Sequence, residues 1–332
     1  MEEPAESNGV VIDRGGLRVL DTRELEWQEH GSVPGGRSKE LSYDADGEPT
    51  ISIVWYPAGR SQPHFPGGIY HKASREFAFF LGGELPHWEF GRADDAGVLV
   101  ESFQELVVFK AGFYMDRRPK TVHGLGPESS RVGCEVLTWR TAGGTFVSED
   151  RVGEHTVLLR PDASESAKGD AARESRAIAA EAEGTVVGWD DLTILDTRAM
   201  RWRPHPQRVG TQQKVLSRDA EGQAIVSLAW LPPEPLHAGP PVPFYHDFRE
   251  LTLVLQGELR LREFASPSDR GGELLTAGEG YYLDRSPGSV HCLDVEPSVT
   301  GCVLLTWRTI DAVFVNERSF QADRLHPTRG SG

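Results

Sequence analysis

Cysteine is scarce: three in 332 residues cannot make a disulfide scaffold. Cys134 and Cys302 occupy matching contexts, Val132-Gly133-Cys134 and Thr300-Gly301-Cys302, and read as small buried residues on equivalent strands. Cys292 follows His291; on a strand where that histidine faces inward, the cysteine faces the other way and belongs to core packing. Basic residues are in deficit. Lys and Arg number 35 against 50 Asp and Glu, a formal net charge of −15, which argues against nucleic acid or an anionic membrane surface as partner, since both are held by clustered cations. A small-molecule substrate or a protein partner remains. No apolar run approaches the length that spans a bilayer. The acidic stretch Met1 to Asn8 has neither a basic nor an apolar leader region, so a cytoplasmic protein is expected. Aromatic residues are missing from Asp162 to Gly184, which is rich in Ala, Glu and Ser. That stretch can contribute little core and reads as a linker with a short helix over Ala171 to Ala182.

What is present is a duplication. Leu20-Asp21-Thr22-Arg23 with Trp27 reappears as Leu195-Asp196-Thr197-Arg198 with Trp202. Lys39, Leu41-Ser42, Asp44-Ala45 and Gly47 reappear as Lys214, Leu216-Ser217, Asp219-Ala220 and Gly222, and Trp55 with Pro57 as Trp230 with Pro232. The offset is constant up to His71 and His246. It then changes by one residue before Glu76 and Glu250, and by six more between Gly83 and Gly112 relative to Gly257 and Gly280. Length changes fall in turns and surface loops, so both places are expected to be connections. The boundaries read as a flexible N-terminus 1–16, a first domain 17–150, a linker 151–190, a second domain 191–320 and a tail 321–332, mobile after Leu325.

Short apolar runs separated by Gly, Pro, Asp and Asn fill both halves: Ile51 to Tyr56, Phe77 to Leu81, Leu106 to Phe109, Val136 to Trp139, Ile225 to Leu231, Leu251 to Leu255 and Val303 to Trp307. This spacing predicts an all-β sandwich or barrel in each half. With 38% hydrophobic and 26% charged residues, the chain is long enough for two such domains with full cores. On the strand after Glu76, alternation puts Glu76, Ala78 and Phe80 on one face and Phe77, Phe79 and Leu81 on the other. A strand apolar on its outer face also needs cover from another sheet, the sister domain or the second subunit of a homodimer.

Each half contains a Tyr-His pair with a glutamate a few residues on, and a second histidine about fifty residues later. These are Tyr70-His71, Glu76 and His123, and Tyr245-His246, Glu250 and His291. Two histidines and a carboxylate make a three-point metal site; the bland alternative is that each histidine is a hydrogen-bonded core residue. The spacing between first histidine and glutamate differs by one residue, so the two cannot share a face of one straight strand in both halves. If the histidine ends one strand and the glutamate begins the next, both point inward and the extra residue sits in the turn. Tyr70 and Tyr245 are candidate catalytic donors or core-edge aromatics, and Tyr114 and Tyr282 weaker ones. In Asp116-Arg117 and Asp284-Arg285 only one member can face the pocket: as an internal ion pair, or as an arginine that holds a substrate carboxylate. His64, His87 and His237 have no counterparts in the other half and read as exposed or loop residues, with a fourth ligand or an acid/base as the sharper reading.

His246, Glu250 and Gly257, then Gly280, Ser286, Gly288 and His291, resemble the two motifs of the cupin superfamily. His71, Glu76 and Gly83 with Gly112 and His123 fit the same plan. The resemblance covers both repeats and implies a bicupin: two tandem β-barrels of the jelly-roll, double-stranded β-helix type, each holding a metal inside. Two departures stand out. The family's first histidine is Ile69 in one repeat and Phe244 in the other, leaving three ligands, and the family's proline-x-glycine turn is Arg118-Pro119-Lys120 in the first repeat. A two-histidine, one-carboxylate set suits Fe(II), and Mn, Ni or Zn fit the same atoms. The implied activity is that of a metal-dependent enzyme of the dioxygenase branch. A cupin lyase, decarboxylase or isomerase, and a non-catalytic binding module or sensor, are the alternatives.

Overall fold

The computed structural model describes residues 9–309 except 15, 32, 60–68, 72, 96–98, 125–129, 143–144, 148–155, 159–182, 190, 207, 234–242, 267–268, 270 and 294–297. The first eight residues, the tail, most of the linker with its helix, His64 and His237 fall outside the described residues. Those described form strands and turns with no helix.

Two compact units result, each two antiparallel sheets joined by one long bent strand. In the unit of residues 27–201 the larger sheet runs Gln28–Glu29, Arg37–Tyr43, Pro49–Tyr56, Cys134–Ala142, the first half of Arg75–Ala93, Phe113–Arg117, Leu192–Asp196 and Thr185–Trp189. The second half of Arg75–Ala93 continues into the other sheet, between Leu99–Lys110 and Thr121–Gly124, beyond which lie Ile69–His71 and Thr156–Leu158. The unit of residues 1–26 and 202–332 repeats this plan. Its larger sheet runs Arg203–Pro204, Gln212–Arg218, Ala224–Leu231, Cys302–Arg308, the first half of Glu250–Phe264, Tyr281–Arg285, Leu17–Asp21 and Val10–Arg14. Its smaller sheet is Glu273–Gly278, the rest of Glu250–Phe264 and Val290–Leu293. Each expected apolar run lies inside one of these strands.

Sequence repeats and compact units are cut differently. The hairpin Val10–Asp21 pairs with Tyr281–Arg285 of the second repeat, and the hairpin Thr185–Asp196 pairs with Phe113–Arg117 of the first. The repeated Asp-Thr-Arg segment ends each hairpin: Thr22 N and Oγ1 donate to Gly280 O at 3.0 and 2.7 Å, and Thr197 N and Oγ1 to Gly112 O at 3.0 and 2.6 Å.

The core of each unit lies between its two sheets. In one, Val54, Ala78, Phe80 and Val136 meet Leu85, Val107 and Phe109. Phe80 stacks on Phe109 with ring centroids 4.3 Å apart, an arrangement worth about 0.5–1.5 kcal/mol beyond its buried area. In the other, Val254, Leu283 and Leu304 meet Leu261, Leu275 and Ala277, joined by Leu17 and Val19 of the N-terminal hairpin. Two of the three outer-face residues are covered as expected within the single chain, Phe77 and Phe79 being 1% and 4% exposed with Phe77 stacked on Trp139, while Leu81 is half-buried.

The bend that lets one strand serve both sheets falls at a glycine. Gly83 (φ +73°) and Gly257 (φ +79°) adopt the left-handed conformation, and a Cβ on either would lie 2.0 or 2.1 Å from the carbonyl oxygen of Gly133 or Gly301. No side chain fits there. The bend carries Glu76 and Glu89, or Glu250 and Glu263, on the two arms of one strand to a common centre.

Candidate metal centres

His71 ends the strand Ile69–His71 and Glu76 is the second residue of Arg75–Ala93, as the strand-end reading expects. The two strands are not a paired hairpin, however: Ile69–His71 pairs with Thr121–Gly124, which carries His123. In the second unit His246 precedes Glu250, the first residue of its strand, and His291 lies on Val290–Leu293. The structure brings each trio together. His71, Glu76 and His123, and His246, Glu250 and His291, each place one ligand atom per residue within 4.8 Å of the others. In the first trio His123 Nε2 is 3.6 Å from Glu76 Oε2; in the second His246 Nε2 and His291 Nε2 are 3.3 and 3.9 Å from the Glu250 carboxylate.

Backbone bonds fix the trios. Lys120 N donates to His71 O, and Gly288 N to His246 O, both at 2.7 Å. Gly288 has φ +82°, and Lys120, at the matching position of the atypical first-repeat turn, takes φ +73° in its place. The Nδ1 atoms of His123 and His291 lie 3.3 and 3.1 Å from the carbonyls of Thr121 and Ser289. A carbonyl only accepts, so Nδ1 is the protonated nitrogen and Nε2 presents a lone pair toward the glutamate. Burial, reinforced by Arg117 and Arg285 respectively, pushes both imidazoles well below their usual range despite the nearby carboxylates. Neutral imidazole is the form that ligates metal. Two converging imidazole nitrogens and one ionised carboxylate are a donor set that a divalent metal fits.

Behind each trio lies an arginine and a second glutamate. In the first unit Arg117 NH1 donates to Glu76 Oε2 at 2.8 Å, and Arg117 Nε donates to Glu89 Oε2 at 3.1 Å while NH2 bonds Glu89 Oε1. In the second Arg285 NH1 donates to Glu250 Oε1 at 3.2 Å, and its Nε and NH2 to Glu263 Oε1 at 3.1 and 2.8 Å. Both guanidiniums are therefore the inward members of their Asp-Arg pairs and serve as internal ion pairs. The aspartates face away, Asp116 Oδ1 accepting from Arg75 Nε at 2.7 Å and Asp284 Oδ1 from Arg249 Nε at 2.8 Å. Burial would raise the Glu76 and Glu250 carboxyls. Arg140 and Arg117 in one case, and His246, His291 and Arg285 in the other, outweigh it and hold both well below the carboxylate range.

Glu89, Glu263 and Arg140 escaped the reading of the sequence. The signal was there for the glutamates: from Glu76 to Glu89 and from Glu250 to Glu263 the repeats run without a gap. His87 differs from expectation. It is neither exposed nor in a loop, because on the bent strand it alternates onto the face of Glu89; its Nδ1 lies 3.3 Å from Glu89 Oε1 and its ring centroid 5.5 Å from that of His123. Tyr70 and Tyr245 pack into small apolar clusters, Tyr70 with Ala93 and Val122 and its hydroxyl on Asp94 O at 3.2 Å, Tyr245 against Phe264, Val290 and Cys292. Tyr114 and Tyr282 are fully buried strand residues. Cys134 and Cys302 are buried thiols pushed up to about 12, chiefly by desolvation.

Two residues before His246, Phe244 closes the second centre. Its ring centroid is 4.5 Å from that of His291 and 5.5 Å from that of His246, and its backbone exchanges both hydrogen bonds with His291. Phe248 stacks on His246 at 4.6 Å. That centre has apolar walls.

No family model matches the sequence, and no curated protein matches it. Solved structures do. Ylba from E. coli is 11% identical, with 93% of this chain and 97% of that one covered and a TM-score of 0.52. HEPD from Streptomyces albus, solved with 2-hydroxyethylphosphonate and Fe(II) bound, is 13% identical over 95% of this chain and 80% of that one, at 0.52. A mutant of Bacillus subtilis oxalate decarboxylase is 11% identical over 91% and 79%, at 0.50. Likeness at such identity speaks for architecture, and the shared architecture is the cupin barrel, so that with two of them in one chain this protein has the bicupin fold.

Proposed function

We propose that this protein is a metal-dependent bicupin enzyme that carries out oxidative chemistry, of the dioxygenase kind, on a small organic substrate at a non-haem Fe(II)-type centre. The observation that carries the reading is the reduced donor set: Phe244 fills the place of a fourth protein ligand beside His246 and His291. Three ligands on an octahedral ion leave room for a chelating substrate and O₂ together. HEPD, similar in fold, was solved with Fe(II) and substrate bound. Iron held there would supply the electrons and Lewis acidity for O₂ chemistry.

The chain's own residues supply the rest. Glu250 and the two histidines would hold the cation, Arg285, itself held by Glu263, helps keep the Glu250 carboxylate ionised and oriented, and Phe244 and Phe248 exclude water from one side. In the first unit Glu76, His71 and His123 offer the same three donors, with His87 beside them. The metal could equally be Mn, Ni or Zn by ligand type alone.

The test is oxygen uptake by Fe(II)-reconstituted protein with a panel of small aromatic and carboxylate substrates. Uptake stoichiometric with substrate loss is expected, and abolished in Glu250→Ala. A second reading, metal-assisted lyase, decarboxylase or isomerase chemistry, is favoured by the likeness to oxalate decarboxylase. Turnover that runs equally well without O₂ would transfer the assignment to it.

A further inference from the structure

Arg140 and Arg308 occupy the same position in the two repeats, yet their guanidiniums go to different places. Arg140 NH2 donates to Glu76 Oε1 at 3.0 Å, inside the first centre. Arg308 turns away from Glu250: its Nε donates to Ala224 O at 2.9 Å and its NH2 to Asp219 Oδ2 at 3.2 Å. Both oxygens of Glu76 are consequently held by guanidiniums, Oε2 by Arg117 and Oε1 by Arg140. On Glu250 only Oε1 is, and Oε2 faces His246 Nε2 at 3.3 Å. The Glu76 side chain is 9% exposed and that of Glu250 20%.

Charge points the same way. In the first centre two guanidiniums, Arg117 and Arg140, stand against Glu76, and Arg117 also stands against Glu89. In the second, Arg285 bonds both Glu250 and Glu263, and among the described residues it is the one guanidinium on Glu250. A divalent cation meets no guanidinium at Glu250 Oε2, where the neighbour is His246 Nε2, itself one of the trio. At the first centre it competes with an arginine for either oxygen.

We infer that the two centres are unequal by construction, His246, Glu250 and His291 forming the tight metal site and Arg140 acting as an internal counter-cation that suppresses metal binding at His71, Glu76 and His123. This rests on reading the trios as metal sites. Arg140 is a positioning residue, not a ligand, and its position in the repeat alone does not reveal its role.

The test is equilibrium dialysis of the full chain against Mn(II), and against Fe(II) under anaerobic conditions, with bound metal counted by elemental analysis. One tight equivalent is expected, with any second equivalent weaker by about 10- to 100-fold, the range over which residues contacting a ligand shift metal affinity. Glu250→Gln removes the tight equivalent and Glu76→Gln keeps it. Arg140→Gln strengthens the second site about 10-fold, and Arg140→Met serves should the first variant fail to fold. Two equivalents of equal affinity, loss of the tight one in Glu76→Gln, or no effect of removing Arg140 in a folded variant would overturn the inference and leave the metal-enzyme reading standing. Absence of metal from wild type at any concentration tested would instead sink both.

Discussion

Arg117 holds together the polar interior of its unit, bonded to Glu76 and Glu89 with all three side chains buried. Removing one partner of such a group leaves uncompensated charge, at a cost of about 3–5 kcal/mol, so Arg117→Ala should shift the urea midpoint of the metal-free protein by that equivalent. The pH dependence follows by sign. Desolvation raises Glu89, but Arg117 and then His87 outweigh it and leave its carboxyl below the ordinary value. Such a group stabilises the fold above the unfolded carboxylate pKa, and the contribution disappears as pH falls from there toward the folded value. His87 and His123 are depressed by burial first and by Arg117 second. They stay neutral in the fold while the unfolded chain takes up protons near the usual histidine value of about 6.5. Stability of the metal-free protein should therefore fall in two stages, below about pH 6.5 and again below about 4.3, and in Arg117→Ala the histidine stage should shrink. A flat profile from pH 7 to 4 would contradict this. The ligands were legible because type and spacing recur together. Arg140 was not, because it matches Arg308 in the sequence, and nothing there shows that Arg308 bonds Asp219 and Ala224 O while Arg140 reaches Glu76.

Elements here are made by alternation and bent by glycine. The apolar runs marked the strands well, but not their length: Phe77 to Leu81 is the middle of one arm of Arg75–Ala93. Polar inward residues such as His87 and Glu89 interrupt the hydrophobic pattern where the strand passes the site, so the second arm reads as a loop. The bend gives a sharp contrast. At Gly83 a Cβ would collide with Gly133 O and φ is +73°, whereas at Gly82, one residue earlier, φ is not positive and nothing lies within 4 Å of a Cβ. Gly83→Ala must bear the left-handed penalty, about 1–2 kcal/mol, plus displacement of the Gly133 backbone. Gly82→Ala should change stability by under about 1 kcal/mol. Urea unfolding of the two variants checks this, and equal midpoints would refute the close approach as the reason for the glycine.

Duplication was the most legible feature of the whole chain, and the exchange of hairpins the least. Leu17–Asp21 is not among the apolar runs that mark strands in the sequence, and adjacency in sequence suggests the wrong partner for it. The structure pairs it with Tyr281–Arg285, the strand that brings Arg285 to Glu250 and Glu263. Leu17 and Val19 enter the core beside Leu283, and Ser286 N donates to Gly16 O at 2.7 Å. Deleting residues 1–22 would strip those side chains, each worth about 1.5–3 kcal/mol when buried, and would leave Tyr281–Arg285 an open edge on one side. The loss is comparable to the whole stability of an ordinary domain, about 5–15 kcal/mol. Hydrogen exchange of the deletion variant should lose protection in Ala224–Leu231, Glu250–Phe264 and Cys302–Arg308, and metal binding at His246, Glu250 and His291 should go with it. Protection in Pro49–Tyr56 and Cys134–Ala142, whose sheet takes its edge hairpin from Thr185–Asp196 instead, should persist. Full protection in both sets of strands after the deletion would mean that the N-terminal hairpin is an ornament of the second barrel rather than two of its strands.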